Sequence, residues 1–83
     1  MSTIKEAPAD RMAPLAQIPA GSRVHLVSVD AGLGLRSRLA ALGLITGAEL
    51  HVIANSLWGP FIVAVRESRI ILGRGMAEKI WVK

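Results

Sequence analysis

The sequence predicts a mainly β domain, a small barrel of five short strands with one short helix at about residues 35–43. Its length of 83 residues allows one domain with a single modest core. Apolar residues make up 52% of the chain and charged residues 19%, which excludes a disordered protein. After residue 48, short apolar runs alternate with polar or glycine-containing links, and this pattern is typical of consecutive strands.

The first fourteen residues show no apolar periodicity and contain Pro8 and Pro14. We therefore expect residues 1–14 to form a flexible tail and residues 15–83 to form the barrel domain. The longest apolar strand run covers only 61–65, far short of the roughly 20 residues that span a bilayer. No signal-peptide pattern and no cysteine are present. We expect a cytoplasmic protein that does not insert into a membrane.

Strand periodicity sorts the apolar residues onto two faces. In the first strand, at 24–29, the alternation slips between Leu26 and Val27, as it does at a bulge or a strongly bent barrel strand. The residues predicted to fill the barrel are Phe61, Val63, Val65, Ile70, Leu72, Ile80 and Val82. The opposite face then carries Ile62, Ala64, Ile71 and Trp81, which is unusually apolar for an outer face. Either the helix and the Leu15–Ile18 segment cover these residues, or they bind a partner.

One helix is predicted because Leu35, Leu39 and Leu42 share a face at i, i+4 and i+7. Gly43 would end this helix in a left-handed conformation, and Gly47 would turn the chain into the next strand. A helix this short is not stable alone, so we expect its leucines to cap the barrel. Five strands and one such helix are typical of an SH3-like barrel.

The run Arg38-Leu39-x-x-Leu42-Gly43-Leu44-x-x-Gly47, with the glycines and strand hydrophobics around it, resembles the FeoA family. The resemblance extends over residues 15–83. It implies a non-enzymatic accessory protein of bacterial ferrous iron uptake, which binds and modulates the cytosolic, GTPase-containing part of the FeoB membrane transporter. The chain departs from the family pattern at Ile45–Gly47, where Pro-Gly is frequent, and in the charged link Arg66–Arg69.

Catalysis and cofactor binding find little support among the side chains. No Ser-His-acid spacing is recognisable, and Asp30 and Glu49 stand alone rather than as an acid–base pair. The two histidines, His25 and His51, are the only weak candidates for metal ligands, and Fe²⁺ binding would depend on them. We favour two half-exposed strand histidines, since a metal ion needs several convergent ligands.

For a protein partner, the predicted contacts combine the outer apolar residues with the tryptophans and arginines that are frequent in interfaces: Trp58, Arg74, Trp81, Ile62, Ile71, Arg36 and Arg38. A nucleic-acid-binding SH3-like barrel is the alternative that the net charge of +4 suggests. The arginines are scattered and only three aromatic residues are present, so nucleic-acid binding is not expected. The resemblance also allows a metal-responsive regulatory module, and a weak homo-oligomer is compatible with the apolar face.

Overall fold

The computed structural model describes residues 12–83 of the chain. It confirms the mainly β class, with antiparallel strands in the order β1-β6-β2-β3-β4-β5. The strands are β1 (Ala13–Pro14), β2 (Arg23–Val29), β3 (Glu49–Asn55), β4 (Phe61–Val65), β5 (Ser68–Leu72) and β6 (Ile80–Val82). The helical elements are a 3₁₀ turn at Leu15–Gln17, α1 (Leu33–Ala41) and α2 (Arg74–Ala77). In the described part, no helix is long and apolar enough to cross a bilayer.

The N-terminal boundary differs in detail from the expected one. The short strand β1 lies within the segment predicted as a tail, and it pairs with β6. Residues 1–11 of that predicted tail lie outside the described residues. The 3₁₀ turn that follows β1 buries Leu15 completely, so this segment contributes to the core.

The sheet curls around a single hydrophobic core, because residues from β5, at one edge of the sheet, and from β6, next to the other edge, meet in one cluster. All seven residues predicted to point inward are buried there. The core comprises Leu15, Leu26, Leu39, Leu44, Leu50, Val52, Phe61, Val63, Val65, Ile70, Leu72, Ala77, Ile80 and Val82. Two bulges bend the sheet. One, between Leu26 and Ser28, confirms the slip predicted in the first strand, and a second lies between Val52 and Ala54.

Helix α1 begins two residues before its predicted start and ends at Ala41. Its core contact therefore differs from the predicted leucine face. Leu39 is buried and Leu35 packs partly against the core, but Leu42 lies beyond the last helical turn and is 51% exposed. Gly43 has the predicted left-handed conformation, with φ +100°, and this turn carries Leu44 into the core in place of Leu42.

Candidate functional site

Three apolar residues form a row across the outer face of β3, β4 and β5. The strand register places Ile62 opposite Ala54 on one side and opposite Ile71 on the other. Cross-strand neighbours on one face are in direct reach of each other. We call Ala54, Ile62 and Ile71 the apolar row. Ile71 keeps 71% of its surface exposed, so within residues 12–83 nothing covers this end of the row.

The next row along the same outer face is basic. The register aligns Arg23 with His51, His51 with Ala64, and Ala64 with Arg69. We call these four residues the basic row. Since side chains on one face recur every second residue, it lies directly beside the apolar row on β4 and β5. On β5 the outer face therefore changes from isoleucine to arginine within one step along the strand, whereas on β4 the step is from Ile62 to Ala64.

An open cleft of about 650 Å³ lies at the basic row, between the sheet and the turn at 45–48. Arg23 and His51 line it together with Arg66 and Glu49. Arg66 occupies the β4–β5 turn with φ +56°, a left-handed conformation that is unusual for a residue other than glycine. The cleft thus presents two guanidinium groups and an imidazole with one carboxylate, a charge balance that favours an anionic group.

The two histidines predicted as weak metal ligands lie on neighbouring strands and on the same outer face. They are not directly opposite each other, because His25 pairs with Glu49 and His51 pairs with Arg23. Among residues 12–83, no three His, Cys, Asp or Glu side chains are grouped so that they could hold a metal ion. The chemistry of this corner is consequently that of a polar, partly cationic surface.

The loop at residues 56–60 joins β3 to β4 immediately beyond the apolar row, and we call it the β3–β4 loop. Its tip is apolar and exposed: Leu57 is 79% accessible and Trp58 is 96% accessible. The amide of Gly59 donates to Ser56 Oγ at 2.8 Å, and this bond closes the turn that carries the tip. A tryptophan held out in this way presents a large apolar area to an incoming partner.

The root of the β3–β4 loop is fixed by Asn55 and Arg74. The guanidinium of Arg74, at the start of α2, donates to Asn55 Oδ1 at 2.7 Å and to the carbonyl oxygen of Ser56 at 2.9 Å. Its Cζ lies 5.9 Å from the centre of the Phe61 ring, within the range of a cation–π contact. Arg74, which the sequence analysis predicted as a partner contact, therefore holds the loop that carries Trp58.

Asn55 is the central residue of this root, and sequence reasoning missed it. Its Nδ2 donates to the carbonyl oxygens of Ala16 and Ile18 at 3.0 and 2.7 Å while its Oδ1 accepts from Arg74. One side chain thereby joins the N-terminal 3₁₀ turn, the loop and α2. The only signal in the sequence is an asparagine at the end of a strand, which ordinarily indicates a turn.

The remaining predicted contacts lie elsewhere on the molecule. Trp81 is half-buried on β6, opposite Pro14 and Ser28, and is separated from β4 by two intervening strands. Arg36 and Arg38 are exposed on α1, where Arg36 borders a shallow groove of about 490 Å³ between the helix and β2. The structure therefore places only Ile62 and Ile71 next to each other, with Trp58 on the adjoining loop.

Comparisons with known proteins agree with this fold. The model of the FeoA domain family matches residues 13–83. A relative from Methanocaldococcus jannaschii, described as a putative Fe(2+) transport protein A, is 42% identical over 72 residues, which are 87% of each chain.

Two solved structures are also similar to the chain. The crystal structure of an iron uptake regulatory protein (FeoA) superposes with a TM-score of 0.80 at 29% identity, covering 88% of this chain and 97% of that one. The zinc complex of Stenotrophomonas maltophilia FeoA, described as an SH3 domain protein, superposes with a TM-score of 0.73 at 27% identity, covering 83% and 87% of the two chains. Both support the SH3-like architecture predicted from the strand pattern.

Proposed function

Because the chain belongs to the FeoA family, we propose that it is a non-enzymatic accessory protein of ferrous iron uptake and binds the cytosolic, GTPase-containing part of a FeoB-type membrane transporter. The relative from Methanocaldococcus jannaschii is named for iron transport and the FeoA crystal structure for iron uptake regulation, and neither name refers to a catalysed reaction. The protein would act by contact with this partner.

The observation that carries the proposal is the exposed tip of the β3–β4 loop beside the apolar row. Leu57, Trp58 and Ile71 each expose more than two thirds of their surface. Tryptophan is among the residue types that contribute most to protein interfaces. We assign the partner contact to Trp58, Ile62 and Ile71, and a positioning role to Arg74.

Three further residues predicted as partner contacts, Trp81, Arg36 and Arg38, have a smaller role in the proposed contact. Trp81 packs opposite Pro14, which accounts for its half-buried state without a partner. Arg36 and Arg38 are exposed on α1 and would add electrostatic attraction to an acidic partner, which affects the association rate more than the final affinity.

Calorimetric titration with the purified cytosolic domain of the transporter encoded in the same genome tests the proposal. Trp58→Ala should weaken binding by at least about tenfold, as loss of an interface hot spot does. Leu33→Ala is the matched control, because Leu33 is a similarly exposed apolar residue on α1, away from the loop. Its effect should stay within about twofold, as is usual for residues outside a hot spot. No binding by the unmodified protein, or an equal loss in both variants, would contradict the assignment.

The basic row favours one second candidate, binding of nucleic-acid phosphates, with Trp58 available to stack on a base. Such binding would weaken steeply as salt concentration rises, because counterions are released from the phosphates. The affinity of an apolar protein contact would change little with salt concentration. Titration with a single-stranded oligonucleotide at low and at physiological salt distinguishes the two, and no binding at low salt would exclude the nucleic-acid candidate.

A further inference from the structure

Strand β5 forms one edge of the sheet, since β4 is its only partner in the described part of the chain. The two strands are joined by the two-residue turn Arg66–Glu67, and their register continues without a bulge from the Val65–Ser68 pair to the Phe61–Leu72 pair. An uninterrupted edge of five residues is long enough to template a further strand.

The backbone groups of β5 alternate in direction. In a two-residue hairpin the pair that closes the turn exchanges both hydrogen bonds, so Ser68, Ile70 and Leu72 direct their N–H and C=O groups towards β4. The N–H and C=O groups of Arg69 and Ile71 consequently point away from the sheet. Among residues 12–83, none of the backbone hydrogen bonds beyond the strand ladders involves these two residues.

The side chains of the same two residues belong to the two outer rows. Ile71 ends the apolar row and Arg69 ends the basic row. A strand added beside β5 would therefore gain backbone bonds at both positions, and its own outward side chains would lie next to an isoleucine and then next to a guanidinium.

We propose that β5 accepts an extended segment of a partner protein as a seventh strand of the sheet, with an apolar side chain beside Ile71 and a carboxylate beside Arg69. This inference rests on the proposed function in taking protein binding as the role of this face, but it does not depend on which protein binds. In such strand addition the main-chain bonds supply affinity, and alternate side chains supply specificity.

Charge decides between a foreign segment and a second copy of this chain. The protein carries ten Lys and Arg against six Asp and Glu, so two copies repel each other. The β4–β5 hairpin is itself basic, with Arg66 and Arg69 against Glu67. A charged residue on an open edge discourages pairing with unselected strands. A segment with a carboxylate beside Arg69 can pair with the guanidinium, so the charge no longer discourages strand pairing. Arg69 would therefore select segments that carry such a carboxylate.

Selection of a random-peptide display library on the immobilised full chain tests the inference without the transporter. Enriched peptides should carry β-branched residues with an acidic side chain. One enriched peptide is then synthesised and its affinity for variants of the protein is measured. Ile71→Pro, which removes an outward N–H, should lower this affinity by at least about tenfold, the size expected when an anchoring contact is lost. Ile71→Val retains the N–H and the β-branched shape, and its effect should stay within about threefold. Failure to enrich any peptide, or equal binding by both variants, would overturn the inference.

Amide hydrogen exchange gives a second readout that needs no substitution. In the unliganded protein the amides of Ser68, Ile70 and Leu72 should exchange slowly and those of Arg69 and Ile71 rapidly. Peptide binding should slow exchange at Arg69 and Ile71 by about tenfold or more, because they become hydrogen-bonded. Unchanged exchange at these two amides in a saturated complex would contradict strand addition. Protection that grows with protein concentration alone would overturn the inference in favour of a second copy.

The same exchange measurement with the transporter's cytosolic domain separates this inference from the proposed function. If the transporter domain forms a complex but Arg69 and Ile71 are not protected, the proposed function is supported and strand addition is wrong. If peptides protect both amides but the transporter domain forms no complex, strand addition is supported and the proposed partner is wrong.

Discussion

Asn55, at the root of the β3–β4 loop, lies only two or three residues before the tip residues Leu57 and Trp58, but root and tip differ in almost every contact. At the root, Asn55 and Arg74 together make four hydrogen bonds that join three segments of the chain. At the tip, Leu57 is largely exposed and Trp58 is almost fully exposed. The root therefore contributes to the stability of the fold, whereas the tip presents apolar surface that nothing within residues 12–83 covers.

This difference makes stability and binding separable. Substitutions at the root should lower the free energy of unfolding, while substitutions at the tip should leave it unchanged and reduce affinity for a partner.

Asn55→Ala should have the largest effect. It removes three hydrogen bonds of about 1 kcal/mol each and leaves two carbonyl oxygens without their donor, so the free energy of unfolding should fall by about 2–3 kcal/mol. Urea denaturation followed by circular dichroism measures the change. Asn55→Asp keeps an acceptor for Arg74 but loses both donated bonds, and it should also be clearly destabilised. A loss below about 0.5 kcal/mol, the range of ordinary surface substitutions, would show that the root is not structural.

Arg74→Ala should lower the free energy of unfolding by about 1–2 kcal/mol, since two hydrogen bonds and the contact with the Phe61 ring are lost. Both bonds are donated by Nη2, and lysine is shorter and has no planar group to place over the Phe61 ring, so Arg74→Lys should recover only part of this loss. Thermal unfolding of the three proteins at one concentration measures the effect. Full recovery by lysine would mean that the shape and reach of the guanidinium are not needed to hold the loop.

Gly43→Ala should destabilise the protein by about 1 kcal/mol, because a residue with a Cβ is strained at φ +100°. The added Cβ would lie 3.5 Å from Val65 Cγ2, an ordinary contact, so strain of the backbone is the main cost. This position lies at the end of α1, away from the loop. The variant is thus a control that loses stability without changing the proposed contact surface, and its affinity for a partner should remain that of the unmodified protein.

Trp58→Ala should change the free energy of unfolding by less than about 0.5 kcal/mol, since an almost fully exposed side chain contributes little to the fold. Urea denaturation under the conditions used for Asn55→Ala measures this. A loss comparable to that of Asn55→Ala would place the tip among the structural residues and remove the contrast between root and tip.

The alternation of residues along the sequence was sufficient to predict which side chains of β4, β5 and β6 point inward and which point outward. Phe61 is buried and Ile62 faces outward, as the period of two requires, because these strands are nearly free of irregularity. The apolar row itself could not be predicted. It depends on which strands pair and on the bulge before Ala54, and pairing is a long-range property.

Two other features escaped prediction for similar reasons. The role of Asn55 arises from bonds to Ala16 and Ile18, which are 39 and 37 residues away in the chain, so no neighbouring residue indicates it. Leu42 continues the helical period of Leu35 and Leu39 but lies after the end of α1. The left-handed turn at Gly43 then redirects the chain, and Leu44 takes the buried place.

The central claim is that the tip of the β3–β4 loop serves a partner and not the fold. The most direct test measures the dissociation constant for the transporter's cytosolic domain and the free energy of unfolding on the same preparations of Trp58→Ala and Gly43→Ala. We predict at least about a tenfold loss of affinity with unchanged stability for Trp58→Ala, and unchanged affinity with lower stability for Gly43→Ala. Affinity that falls in proportion to stability in both variants would contradict the claim.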